Sequence, residues 1–282
     1  MNLPSQKQQL LEQALSLLQP IPGVQAIVLG GSYARGTARP DSDLDIGIYY
    51  SETAPFAIAD IRQAAAALAG QTDQEVTDFY GWGPWVNGGG WLHTPQGKVD
   101  FRYRNLEQVQ RTIADAQQGI LYHDFNQQPA YGFYSVIYLA ETKVCLPLHD
   151  PHKQIERLKQ EVVSFPPLLK QKTVSDMLWM AEFSLLHADG YAASGNIYAT
   201  VGTLARVASF LTQALFALNE TYFMNDKTAV QEIAAFALLP PDYPVRLATI
   251  LGQAGQTATE LQASVQELRT LWSQVARLAK RS

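Results

Sequence analysis

Two aspartates separated by one residue, Asp43 and Asp45, open an apolar stretch that is predicted as a β-strand over Leu44–Tyr50. Residues two apart on a strand share one face, so both carboxylates are expected on the same side of the sheet. Neighbouring carboxylates repel each other unless a cation lies between them. Because hard oxygen ligands suit Mg²⁺, the pair is a candidate metal site.

A glycine-rich turn, Gly30-Gly31-Ser32, precedes this pair and follows an apolar run over 24–29 that is predicted as a buried strand. Glycine lets the backbone approach a phosphate closely, and serine offers a hydroxyl and an N–H group. A short helix predicted over 32–37 would favour an anion at its N-terminus. Taken separately, the turn is an ordinary loop and the aspartates a solvated strand edge; together they are suited to phosphoryl or nucleotidyl transfer.

The arrangement Gly31-Ser32, ten intervening residues and then Asp43-Leu44-Asp45 resembles the signature of the polymerase β-type nucleotidyltransferase superfamily. The fuller stretch GGSYARGTARPDSDLDI is similar to bacterial nucleotidyltransferases that adenylylate aminoglycosides or lincosamides, and to small antitoxin-type members. The resemblance is specific over residues 24–50 and extends loosely over 1–146.

The resemblance implies a third carboxylate from a later strand, and Asp100 in the predicted strand 98–103 fits this role. Asp43, Asp45 and Asp100 would together hold two Mg²⁺ ions, and Asp100 would also polarise the acceptor hydroxyl. An ion pair with a neighbouring arginine is the alternative for Asp100. Asp78, in a second predicted strand over 76–80, is its rival as third ligand.

The same resemblance implies a nucleotide site formed by Gly31, Ser32, Arg35 and Arg102, with ATP or another nucleoside triphosphate as co-substrate. Arg104 shares a predicted face with Arg102 and is a further candidate for the triphosphate. The implied activity is transfer of a nucleotide, AMP in the first instance, to an acceptor hydroxyl with release of pyrophosphate. The alternative is a non-catalytic or antitoxin-type nucleotide-binding module that acts on a protein partner.

Charge and composition limit the partners of this chain. The 282 residues have a net charge of −5, and residues 1–150 carry the excess of acid, with nine Lys and Arg against fifteen Asp and Glu. This balance disfavours a nucleic-acid partner and is compatible with a small-molecule acceptor, such as an aminoglycoside-like antibiotic. One cysteine, Cys145, excludes an internal disulfide.

No signal segment or membrane span is predicted, so a cytoplasmic location without a membrane partner is expected. The sequence leaves the oligomeric state open.

The predicted elements divide the chain in two. Strands and helices alternate over 1–146, whereas 152–282 is predicted as helix at about 153–164, 174–189, 196–218, 227–238 and 257–280. The expected fold class is α+β, a polymerase β-like nucleotidyltransferase head with a mixed sheet followed by an all-α helical bundle domain. The helical domain would close the cleft and select the acceptor.

Two further groups of residues have open interpretations. Glu182 lies within a predicted helix among apolar neighbours, where a carboxylate needs a partner, and it is a candidate base. Trp82, Trp85 and Trp91 are interpreted as aromatic core in the first instance and as the lining of an acceptor pocket in the second.

Overall fold

The computed structural model describes residues 3–128 and 130–281 of the chain. In chain order the strands are β1 (Val24–Leu29), β2 (Leu44–Tyr50), β3 (Glu75–Val76), β4 (Gly89–Thr94), β5 (Gly97–Asn105), β6 (His123–Asp124), β7 (Phe133–Tyr134) and β8 (Leu146–His149). The helices are α1 (Ser5–Leu18), α2 (Gly31–Arg35), α3 (Ile58–Ala69), α4 (Leu106–Gln117), α5 (Val136–Val144), α6 (Gln154–Glu161), α7 (Pro167–Ala193), α8 (Ile197–Leu218), α9 (Asp226–Ile233), α10 (Tyr243–Gly252) and α11 (Ala258–Ala279).

Six strands form one mixed sheet in the order β3-β4-β5-β2-β1-β8. The central pair, β2 and β5, is parallel, and every other pair in this sheet is antiparallel. A parallel pair needs a long crossover, which here contains α3 and the β3–β4 hairpin. The crossover brings two segments distant in sequence, 44–50 and 99–105, into contact at the centre of the sheet.

One face of this sheet carries the hydrophobic core. Alternate residues of β2 and β5, such as Ile46, Ile48 and Phe101, are fully buried against α1 and α3. Period-two alternation therefore directs the intervening polar residues of both strands to the opposite face. The candidate site residues of β2 and β5 all belong to this second face.

Helix α5 contributes to the second face near the C-terminal end of β5. Arg104 is only 4% exposed and forms a bidentate ion pair with Glu141 of α5, with N–O distances of 2.9 and 2.8 Å. Its guanidinium also lies 5.3 Å from the ring centroid of Tyr138. The Glu141 carboxylate holds the pKa of Arg104 above its usual range, and Arg104 in turn lowers the pKa of Glu141.

The helical region is built around the long helices α7, α8 and α11, which pack against one another. Asn196 caps α8 by accepting a hydrogen bond from the Ala199 N–H, and Thr257 and Glu260 form a capping box at α11. Among the described residues α8 alone is long and apolar enough to cross a membrane, whereas the sequence analysis predicts no such stretch; 67% of its most apolar part is buried inside the protein.

The chain divides into two compact units. One contains residues up to 114 together with 138–163, and the other contains 115–137 together with the chain from 164 onward. The β6–β7 pair lies in the second unit, and β8 and α6 lie in the first. The predicted nucleotidyltransferase domain 1–146 and helical domain 152–282 stay a prediction. The predicted fold class, a mixed sheet followed by a largely helical region, is confirmed.

Several predicted elements need correction. The strand expected over 76–80 ends at Val76, because the chain turns there and Tyr80 adopts a positive φ of 59°. Helices α5 and α10 and strand β8 are absent from the sequence-based assignment. All three are short, and their apolar residues form no long periodic stripe.

Candidate active site

The turn between β1 and α2 lies directly against Asp45. The Gly30 N–H donates a hydrogen bond of 2.8 Å to the Asp45 carbonyl, and Gly31 begins α2 with a φ of +59°. A Cβ atom at Gly31 would lie 1.7 Å from Oδ2 of Asp45. Glycine is required at position 31 both by the backbone conformation and by the close approach of this carboxylate.

Asp45 and Asp100 are neighbours across the parallel pair. Their Cα atoms are register partners on β2 and β5, and both side chains lie on the face opposite the core. The Asp45 side chain is 21% exposed and the Asp100 side chain 19%. Asp43 comes directly before β2 and is half-buried. The predicted juxtaposition of Asp45 with Asp100 is therefore present.

Arg102 provides a positive charge beside the two carboxylates. Its Nη2 atom lies 3.3 Å from Oδ1 of Asp45 and 3.9 Å from Oδ2 of Asp100. The side chain is 38% exposed, so solvent screens both interactions. One guanidinium faces two carboxylates here, and the group as a whole keeps a negative charge.

The pKa of Asp100 reflects this crowding. Burial raises the pKa of the Asp100 carboxyl above its usual range, and the Asp45 carboxylate raises it further. Asp43 acts in the same direction, whereas Arg102 and Lys98 lower the pKa. An additional cation beside Asp100 would stabilise its carboxylate form and so lower this raised pKa.

The remaining predicted nucleotide-site residues lie on α2. Ser32 is in its first turn and Arg35 is its last residue, and both are half-buried. Tyr33, between them, packs against the core, and its buried hydroxyl has no hydrogen-bond partner among residues 3–128 and 130–281. Burial raises the pKa of Tyr33, and Asp41 and Asp43 add to this shift.

Asp78 lies away from the carboxylate pair. It is in the loop after β3, its side chain is 76% exposed, and it forms an ion pair of 2.7 Å with Arg62 of α3. The strand assignment that made Asp78 a rival to Asp100 is wrong. Of the two, Asp100 is the carboxylate beside Asp45.

Two other expectations change with the structure. Arg104 is buried against Glu141, so its guanidinium is already neutralised and is not presented to solvent as a phosphate ligand would be. Glu182 lies on α7 as expected, but its side chain is exposed and needs no buried partner. In both residues the deciding property is burial, which depends on the packing of distant elements.

The structure also brings residues to this face of the sheet that belong to none of the predicted motifs. Glu141 fixes Arg104, and Glu75 lies opposite Trp91 at the edge of the same sheet face that carries Asp100. The tight β4–β5 hairpin, with Thr94 opposite Gly97, sets the pairing of Trp91 with Asp100. Counting back from that hairpin in the sequence would have found this pair.

The donor set fits a divalent cation. Carboxylate oxygens are the preferred ligands of Mg²⁺, and the absence of a side chain at Gly31 lets the Asp45 carboxylate lie directly against the turn. No group of three or more His, Cys, Asp and Glu side chains forms a ready-made metal site in the part of the chain that the structure describes. The three predicted ligands therefore stay a prediction, with Asp45 and Asp100 as their adjacent pair.

Comparison with known proteins gives a family match over part of the chain. Residues 8–84 match the sequence model of the nucleotidyltransferase domain family. The match includes Asp43 and Asp45 and ends before Asp100. No curated protein matches the chain.

Among solved structures, the chain is similar to a nucleotidyltransferase-like protein from Exiguobacterium sibiricum 255-15, with 9% identity and a TM-score of 0.49. The alignment covers 97% of this chain and 78% of that one.

Proposed function

We propose that this chain is a Mg²⁺-dependent nucleotidyltransferase that transfers AMP from ATP to a hydroxyl group of a small-molecule acceptor. The family match over residues 8–84 supports nucleotidyl transfer in general. The observation that carries the proposal is the pairing of Asp45 with Asp100 beside the Gly31 turn, because it joins a carboxylate pair to a backbone suited to phosphate. An aminoglycoside-like antibiotic is one acceptor of this class.

Asp43, Asp45 and Asp100 would hold the metal. Bound Mg²⁺ supplies compensation for the phosphate charge that develops during transfer. The backbone of Gly31 and Ser32, with Arg35 and Arg102, would bind the triphosphate. Arg102 suits this role because it is partly exposed and its present contacts, at 3.3 and 3.9 Å, are long for a charge-assisted hydrogen bond.

Asp100 would orient the acceptor. It lies on the β5 side of the pair, away from the β1–α2 turn, and in-line displacement needs the attacking and leaving oxygens on opposite sides of the phosphorus. The acceptor oxygen forms a bond to the α-phosphorus while the bond to the β-phosphate oxygen breaks. Pyrophosphate leaves with that electron pair, and the hydroxyl proton passes to Asp100 or to water.

The test compares three single variants of the full chain. Asp45→Asn and Asp100→Asn should each weaken Mg²⁺-dependent ATP binding in calorimetry by about a hundredfold and abolish pyrophosphate release with acceptors that the wild type uses. Asp78→Asn is the matched control, since its carboxylate is exposed and paired with Arg62. It should behave as the wild type does.

Two outcomes would contradict the proposal. If Asp45→Asn and Asp100→Asn bind Mg²⁺ and ATP as the wild type does, the carboxylate pair is not the metal site. If the wild type binds ATP with Mg²⁺ yet releases no pyrophosphate over a broad panel of hydroxyl acceptors, the chain is a nucleotide-binding module instead.

A further inference from the structure

A single row of paired residues crosses four strands of the sheet. Glu75 of β3 is the register partner of Trp91 on β4, Trp91 that of Asp100 on β5, and Asp100 that of Asp45 on β2. Directly paired residues project from the same face of a sheet. The row therefore places an indole between two carboxylates, on the face that carries the candidate active site.

Trp91 is exposed in spite of its size. Its side chain is 49% exposed, and its ring stacks on Trp82 with a centroid distance of 4.7 Å and an interplanar angle of 24°. The Trp82 ring occupies the space above Gly89, where a Cβ would lie 2.9 Å from Cζ3. The interpretation of Trp91 as aromatic core is wrong. One face of its ring packs on Trp82, and about half of the side chain stays exposed to solvent.

The side chains around Trp91 favour a positively charged ligand. The face of an indole attracts a positive charge, and the exposed Glu75 carboxylate beside it strengthens that attraction. Exposing a stacked tryptophan to water is unfavourable for folding alone, because apolar surface is better buried. The arrangement is suited to a ligand that carries a positive charge on an apolar or compact group.

The position of the row relative to the Gly31 turn indicates that a ligand bound at Trp91 is the acceptor and not the nucleotide. The Gly31 turn lies against Asp45 on β2, whereas Trp91 lies on the other side of Asp100, on β4. Adjacent strands are about 5 Å apart, so Trp91 and Glu75 lie roughly 5 and 10 Å from Asp100 across the sheet. A group bound there is on the acceptor side of the proposed reaction.

We propose that Trp91, supported by Trp82 and flanked by Glu75, is the subsite for a positively charged group of the acceptor. The acceptor is then a cationic alcohol whose charge lies about 5–10 Å from the reacting hydroxyl. This inference rests on the proposed function for the identity of the ligand as acceptor. The binding of a cation at Trp91 can be measured without turnover.

The probe for the subsite is choline, and its neutral isostere 3,3-dimethylbutan-1-ol is the comparison ligand. In proton NMR titrations of the full chain, the N-methyl resonance of choline should shift upfield in a saturable manner, because these protons lie over the indole ring. The neutral isostere should bind about tenfold more weakly, since it lacks the charge. Neither measurement requires metal or nucleotide.

Variants locate the effect. Trp91→Leu should remove the upfield shift, and Glu75→Gln, an exposed substitution that leaves the aromatic stack intact, should weaken choline binding about fivefold. His93→Gln is the matched control, because His93 is exposed on the same strand and pairs with Lys98 outside the row. It should leave choline binding unchanged.

Mg²⁺-dependent ATP binding is measured on the same samples and separates the two proposals. Loss of choline binding with retained ATP binding in Trp91→Leu supports the subsite. Equal binding of choline and its neutral isostere, or a normal choline shift in Trp91→Leu, overturns it. Weakened ATP binding in Trp91→Leu also overturns it, by assigning the stack to the nucleotide, whereas a wild type that binds choline but not ATP contradicts the proposed function alone.

Discussion

The surroundings of Asp100 destabilise its carboxylate form relative to that of a solvent-exposed aspartate. Burial, Asp45 and Asp43 all raise its pKa, and Arg102 offsets them only in part. A folded-state pKa above the unfolded value gives stability that is present at low pH and is lost as the pH rises through the folded-state pKa. At neutral pH without metal, the ionised Asp100 therefore opposes folding.

Asp100→Asn removes this ionisation, so with a chelator present the variant should unfold at a higher temperature than the wild type at pH 7. The difference should shrink as the pH falls toward about 4, the ordinary pKa of an aspartate. Thermal unfolding by circular dichroism across this pH range measures it. Asp78→Asn should show no such gain, since that carboxylate is exposed. A less stable Asp100→Asn at pH 7 would mean that Arg102 outweighs the other charges.

The junction of β1, α2 and β2 is the element on which the site depends. Helix α2 has only five residues. Its first residue, Gly31, and its C-cap, Gly36, both have a positive φ, at +59° and +71°. They differ in surroundings. A Cβ at Gly31 would overlap the Asp45 carboxylate, whereas a Cβ at Gly36 has no atom within 4 Å.

This difference makes a matched pair of variants. Both Gly31→Ala and Gly36→Ala should lose about 1 kcal/mol of stability from the positive φ. Gly31→Ala should in addition displace Asp45 and reduce the rate of pyrophosphate release about a hundredfold, since a shift of one ångström can have this effect. Gly36→Ala should keep its activity. Equal activity losses in the two variants would indicate a general disturbance of the turn.

At the scale of the whole molecule, the first compact unit is discontinuous in sequence and extends beyond residue 146. Strand β8 pairs with β1 at the edge of the sheet. The ammonium group of Lys159 in α6 donates hydrogen bonds to the carbonyls of Thr142, Lys143 and Cys145, at 3.2, 2.6 and 2.6 Å. These bonds satisfy carbonyl groups at the C-terminal end of α5.

A fragment that ends at residue 146 should therefore fold less cooperatively than one that ends at 163. We expect a free energy of unfolding lower by about 3 kcal/mol or more, because the shorter fragment loses a strand and three charge-assisted hydrogen bonds. Urea titrations of the two fragments provide the measurement. Similar midpoints and slopes would show that the predicted boundary at 146 already encloses a complete folding unit.

The sequence was informative wherever the physical signal was local. The strand before Gly30, the strand after Asp43 and the alternation that separates Asp100 from its apolar neighbours all follow from residues within one element. The strand expected at Asp78 failed because a turn ended β3 after two residues. Apolar patterning over so short a segment does not distinguish a strand from a turn.

The sequence alone determined which chemical groups this protein can use. They are a glycine turn, two aspartates that are two residues apart, and a third candidate carboxylate far along the chain. Only the tertiary structure decided which groups meet. The parallel pairing of β2 with β5 brings Asp45 and Asp100 together, and α5 removes Arg104 from the site. Strand order and burial depend on contacts between distant segments, and no local pattern encodes them.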